Sequence, residues 1–100
     1  MSVIKRDDVT GITRGKVLDL AKQVINGERQ DQYGSPEDSF SHIADYWSVY
    51  LSERESTHIV LSANDICAMM TLFKIAREAN QHKADNLVDA AGYIGIWGDL

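Results

Sequence analysis

The 100-residue chain is predicted to be an all-α, four-helix bundle-like domain, and three observations predict it. Its apolar residues recur mostly at helical spacing rather than in alternation. It holds a single proline, Pro36, placed where a helix begins. Two segments, Ser35-Pro36-Glu37-Asp38 and Ser62-Ala63-Asn64-Asp65, set a capping serine three residues ahead of an acid.

The elements follow in order. A polar stretch over residues 1–12 is expected to be a flexible N-terminus ahead of one helical domain over residues 13–100, because a chain of this length buries one core and not two. The first helix runs from near Thr13 to Asn26, with Val17, Leu20, Ala21 and Val24 as its stripe and Leu18 and Ile25 widening it; Gly27 ends it. The segment Glu28-Arg-Gln-Asp-Gln-Tyr-Gly34 has no clear period and is dense in hydrogen-bonding groups, which marks it as a functional loop. The second helix starts at Pro36, carries the stripe Phe40, Ile43, Ala44, Trp47 and Leu51, and ends in the charged run Glu53-Arg-Glu55. Residues 56–61 are a link in which Thr57–Val60 is too short for a sheet but long enough for a stray extended pairing. The third helix opens at Ser62 and runs through about Ala79. After the turn Asn80-Gln-His-Lys83, the fourth takes Ala84 to about Trp97, where Gly92, Gly95 and Gly98 permit close backbone approach. Such short helices with wide apolar arcs leave Trp47, Trp97, Ile94 and Ile96 hard to cover in one chain, so a homo-oligomer is expected.

Composition narrows the function. At 44% apolar and 25% charged the chain is of ordinary globular make-up. No apolar run approaches a membrane span and the start lacks a signal peptide's apolar core, so the expected setting is the cytoplasm, with no membrane partner. Net charge is −5 and no basic cluster exceeds a pair, which argues against duplex nucleic acid while leaving room for a small anion in a local basic pocket. The lone Cys67, among Ala68, Met69 and Met70, reads as a core thiol. His42 shares a polar helix face with Asp38 and Asp45, and no His-Glu-x-x-His or paired-cysteine pattern is present, so a zinc site is discounted. A nucleophile elbow and a phosphate-cradling glycine loop are also missing.

Two charged pairs stand out on apolar helices. Lys74 and Arg77 lie one turn apart on the third helix, and Asp85 and Asp89 have the i, i+4 spacing on the fourth. Asp89 sits inside an apolar run, where a carboxylate needs a cation, a metal or hydrogen-bond donors. Two readings stay open: Lys74 or Arg77 bridges to Asp89 across a helix interface, or the aspartates hold a divalent cation while Lys74 and Arg77 hold phosphate oxygens. Magnesium suits the second, since it takes one or two carboxylates plus substrate phosphates. In the loop, Glu28 and Asp31 either add oxygen ligands or pair locally and cap the second helix. Tyr33 and Trp47 either stack on a base or pack as core.

The loop Glu28-Arg-Gln-Asp-Gln-Tyr-Gly-Ser-Pro-Glu37, the stripe Phe40-x-x-Ile-Ala-x-x-Trp47, Lys74-x-x-Arg77 and Leu87-Val-Asp-Ala-Ala-Gly-Tyr93 together resemble a group of small, largely uncharacterised phage and prophage proteins. More remotely, the helix order is similar to the MazG-like all-α nucleoside triphosphate pyrophosphatases. That resemblance implies a helical oligomer that uses magnesium held by acidic residues to split a nucleotide into monophosphate and pyrophosphate. The family's Glu-Glu-x-x-Glu stretch is missing, and Asn86-Leu-Val-Asp89 stands where Glu-x-x-Asp is expected. Carried over residue by residue, it assigns Asp89, Asp85 and Glu28 to the metal and Asp89 and Glu28 to catalysis; the phage group's pattern and the helix spacing make Lys74 and Arg77 the phosphate candidates, and the residues themselves add Asp31 to the catalytic candidates and Tyr33 and Trp47 to those for base stacking. The expected function is a magnesium-dependent nucleotide pyrophosphohydrolase; the alternatives are a non-catalytic nucleotide binder and a structural helical oligomer.

Overall fold

The computed structural model describes residues 13–27 and 35–100, and there the chain forms four helices and no strand. They are α1 (Arg14–Asn26), α2 (Pro36–Glu55), α3 (Ala63–Asn80) and α4 (Ala84–Asp99). Side chains set the first three starts, at Ser35 and at Ser62/Asp65 as expected and at Thr13 as well. Thr13 Oγ1 accepts from the Lys16 N–H at 3.1 Å and Ser35 Oγ from the Asp38 N–H at 3.2 Å, while the Asp65 carboxylate accepts from the Ser62 backbone N–H at 2.8 Å. α4 runs two residues beyond the expected Trp97. α2 ends at Ser56, which takes the left-handed conformation (φ 53°) that more often falls to glycine, and its N–H donates to the Ser52 carbonyl.

No extended pairing forms in the link after α2. Two serines of α2 hold it instead. Ser52 Oγ donates to the Ile59 carbonyl at 3.0 Å and accepts from the Ile59 N–H at 2.9 Å. Ser48 Oγ donates to the Ala44 carbonyl at 2.6 Å and accepts from the Leu61 N–H at 2.8 Å. The link's backbone groups are thus satisfied by side chains rather than by a partner strand.

α3 and α4 form the closest pair; α1 lies on α4 and α2 lies on α3. The Phe40 and Tyr93 rings, 6.1 Å apart, tie α2 to α4. Ala21, Ala44, Ile66, Cys67, Ala84 and Val88 make the buried apolar core, and its largest fully buried side chains are Ile66, Val88 and Cys67. Burial pushes the Cys67 thiol above its ordinary pKa, as a packed rather than reactive cysteine requires. Leu18 departs from the expected stripe and is exposed. α1 meets chiefly α4, and a single neighbour covers only a narrow arc of a helix. No helix among the described residues is long and apolar enough to cross a membrane.

The glycines of α4 divide by what they face. A Cβ at Gly92 would stand 3.2 Å from Ile25 Cγ2 and one at Gly95 would stand 3.5 Å from Ile25 Cδ1, so α1 and α4 approach through them. Gly98, expected to do the same, has nothing within 4 Å of such a Cβ. Gly92→Val is therefore expected to cost about 2 kcal/mol by overpacking against Ile25. Gly98→Ala should stabilise by up to about 1 kcal/mol through helix propensity. Urea denaturation of the two variants checks both signs.

Candidate functional site between the third and fourth helices

Lys74 leaves α3 toward α4 and meets Asp89 there, Nζ to Oδ2 at 2.9 Å, with the side chains only 17% and 10% exposed. Of the two sequence readings, this geometry is that of the interface bridge. One turn before Asp89 on the same helix, Asp85 is half-buried. Burial raises its carboxyl above the ordinary aspartate pKa and the neighbouring Asp89 charge adds to the rise, while Lys74 and Lys83 pull the other way. Two carboxylates and one ammonium thus share the seam, and the ammonium is committed to one of them.

Arg77 takes a different direction. It is exposed, its guanidinium carbon lies 5.5 Å from the Phe73 ring centroid, and no carboxylate among the described residues is in ion-pair reach of it. It borders a cleft of about 310 Å³ at the α3–α4 turn. Arg77 and Lys83 supply cations, Asn80, Gln81 and Asn86 supply amides, and Phe73 with Ala76 supplies an apolar wall. Lys83 likewise has no ion-pair partner among the described residues.

The turn that carries these groups is held by Glu78. Its Oε1 accepts from the Lys83 backbone N–H at 2.9 Å and from the Asn86 amide at 3.3 Å, and its Oε2 pairs with the His82 ring. Burial acts to raise the Glu78 pKa, but the bonds from Lys83, His82 and Asn86 outweigh it and hold the carboxyl below the usual glutamate range. Asn86 is itself buried and also donates to the Gln81 carbonyl at 3.4 Å. Asn86, standing where the resemblance expected a glutamate, therefore serves as a structural donor to an acid on α3.

The sequence-predicted residues are only partly brought together. Lys74, Asp85 and Asp89 gather at the helix seam, and Arg77 lies in the cleft beside it. Trp47 is half-buried on α2 and does not line the cleft. Glu28, Asp31 and Tyr33 lie outside the described residues. Among the described residues no group of three His, Cys, Asp or Glu side chains is placed to hold a metal. His42 sits exposed on α2 with its ring 5.2 Å from that of Tyr46. Sequence reasoning passed over Asn80, Gln81, Lys83 and Glu78. The signal available was the run of donor-rich residues at 80–83, directly after the Lys74/Arg77 turn.

Residues 16–100 match the family described as "Domain of unknown function (DUF6378)". The chain belongs to that family. It is also similar to the Gene 55 protein of Mycobacterium phage L5, 37% identical over 81 residues, which are 80% of this chain and 49% of the relative. It is similar also to the Gene 55 protein of Mycobacterium phage D29, 39% identical over 80 residues, 79% of this chain and 49% of the relative. The expected likeness to small phage proteins is thus found, and the chain spans about half the length of the curated relatives it matches. No solved structure matches the chain. The DUF6378 match takes in α2, α3, α4 and nearly all of α1, so it contains the seam and the cleft whole.

Proposed function

We propose that this DUF6378 protein binds the phosphates of a nucleotide in the α3–α4 cleft. The observation that carries this reading is the pairing of two cations free of ion pairs among the described residues, Arg77 and Lys83, with three amides around a concavity of about 310 Å³, within the size range of small-ligand sites. Guanidinium and ammonium groups suit phosphate oxygens, and the Phe73 ring, with Arg77 5.5 Å from its centroid, walls the cleft beside them. In a chain of net charge −5, such a local cationic pocket favours a compact anion over an extended one.

A MazG-like hydrolase is the second reading, and Asp85 favours it. It is a half-buried carboxylate with a raised pKa beside another acid, where a divalent cation would relieve the repulsion. Asp85 and Asp89 fit magnesium in number only if its remaining oxygens come from substrate phosphates and water. When bound, the ion would polarise the phosphoryl group and lower the pKa of an attacking water. The chain's own residues would do the rest: Asp85 and Asp89 supply oxygens, Lys74 holds Asp89 in orientation, and Arg77 stabilises charge on the phosphates. The grip of Lys74 on Asp89 weighs toward binding without turnover.

Titration calorimetry with a panel of nucleoside triphosphates, with and without magnesium, tests the first reading. Arg77→Ala is expected to weaken binding about tenfold or more, as loss of a charge-assisted contact does, and Lys83→Ala less. Heat from no nucleotide in the panel would remove the binding reading. Pyrophosphate release that requires magnesium and disappears in Asp85→Asn would establish the hydrolase over the binder.

A further inference from the structure

The outer arcs of α3 and α4 are largely apolar, and nothing among the described residues covers them. On α3, Met69, Leu72, Phe73 and Ile75 are 37%, 63%, 47% and 54% exposed, and the helical positions beside them are Ala68, Ala76 and Ala79. On α4, Leu87, Ile94 and Trp97 are exposed at i, i+7 and i+10, with Ala90 and Ala91 between them. The charges of α4, Asp85, Asp89 and the terminal Asp99, lie off its arc, while Asp65 in the first turn and Arg77 in the last border the arc of α3. A helix that is apolar on its outer side as well as its inner one belongs inside an assembly.

From this we infer that the α3–α4 outer face is a two-fold interface with a second copy of this chain, and that the second copy forms one wall of the cleft. Three features select a second copy. The first is area: the seven large side chains expose roughly 600 Å², most of the ~800 Å² per partner that a stable interface buries. The second is charge. Two chains of net charge −5 repel at most surfaces, but the two charges that border the α3 arc, Asp65 at one end and Arg77 at the other, are of opposite sign. The third is the core, whose largest fully buried side chains are Ile66, Val88 and Cys67; seven of the bulky apolar groups it leaves out are on these two helices. An isologous contact sets alanine stretches of one α3 against Leu72 and Met69 of the other, large against small.

Phe73 and Ala76 belong to both the face and the cleft, so a copy seated on the face would border the cleft along them. The partner's share in the cleft rests on the nucleotide reading above, whereas the dimer stands without it.

Sedimentation velocity on the full chain is expected to give twice the 11.2 kDa chain mass, and Leu72→Glu the single mass with helical circular dichroism retained. Val49→Glu, on the exposed side of α2, should remain a dimer. Hydroxyl-radical labelling of the unmodified chain gives a readout that needs no variant: Met69 and Trp97 should label less than Tyr46, although methionine and tryptophan are the more reactive. A wild-type chain that sediments at the single mass up to 100 µM overturns the inference. So does dissociation by Val49→Glu but not Leu72→Glu, or free labelling of Met69 and Trp97. For the cleft, Leu72→Glu is expected to lose nucleotide affinity at least tenfold as it loses the dimer, and full affinity in the monomer overturns the shared wall. A dimeric wild type that binds no nucleotide would end the functional reading and leave the interface intact.

Discussion

Asp89→Ala is expected to destabilise the fold by about 3 kcal/mol, the largest loss from any single truncation on the α3–α4 seam. The reason lies in what is left behind. Lys74 is held at 2.9 Å with its side chain 17% exposed, and without Asp89 its ammonium has lost most of its water and its counter-charge together. Asp85 cannot replace the partner fully. It sits one turn away, and burial already disfavours its ionised form. Removing both ends is a different experiment: Lys74→Met with Asp89→Leu replaces two desolvated charges with apolar groups of similar volume, and should fall within about 1 kcal/mol of wild type. Urea denaturation of wild type, both single variants and the double variant, at one protein concentration, gives the coupling. Additive single losses would mean that the ion pair carries no interaction of its own. Because the pair joins the helices on which the proposed site is built, a nucleotide that raises the melting temperature of wild type should do so equally in the double variant if the cleft alone binds it. A lost response would place the seam in the binding site.

Much of the fold was legible in the residues because helix limits are local. Thr13, Ser35 and the Ser62/Asp65 pair each act within four residues, so reading the chain was enough to place three of the four starts. The buried bridge was legible as a need rather than as a pair. An acid within Leu87-Val-Asp-Ala-Ala required a partner, but whether Lys74 or Arg77 supplied it depended on the rotation of α3 against α4, which is tertiary information. Arg77 and Lys74 are only one turn apart, yet one enters the seam and the other faces a cleft. Leu18 failed for a related reason, since apolar character alone does not say how many neighbours a helix has. Lys83, Asn80 and Gln81 were read as a turn and nothing more. Their convergence comes from Glu78 reaching across the α3–α4 corner, a contact between residues that belong to different periodic patterns.

That corner yields the second large effect, one that depends on pH. The Glu78 carboxyl lies below its ordinary 4.5 because burial, which raises it, is outweighed by the Lys83 N–H, then by the His82 ring and the Asn86 amide, with the His82 charge adding to them. A carboxyl with a lowered folded-state pKa contributes stability that is complete above the unfolded value of about 4.5 and fades as pH falls through the folded one. Glu78→Ala is accordingly expected to cost about 2 kcal/mol at pH 7, since it strands the Lys83 N–H and the amide of buried Asn86. Glu78→Gln keeps an acceptor for Lys83 but turns an amide N–H₂ toward other donors, and should lose about half as much. Below pH 4 both deficits should shrink, because the wild-type carboxyl is then increasingly protonated and gives up the same bonds. Denaturation midpoints collected across that interval measure the convergence directly. A deficit that stays constant from pH 7 to pH 3 would show that Glu78 acts by packing and not by its charge. The same variants report on the site, because the Lys83 N–H bond fixes the segment that carries one of the two cleft cations. If the cleft takes phosphate, nucleotide affinity should fall in Glu78→Ala even where the chain is fully folded, as Lys83 loses its preorganised position opposite Arg77.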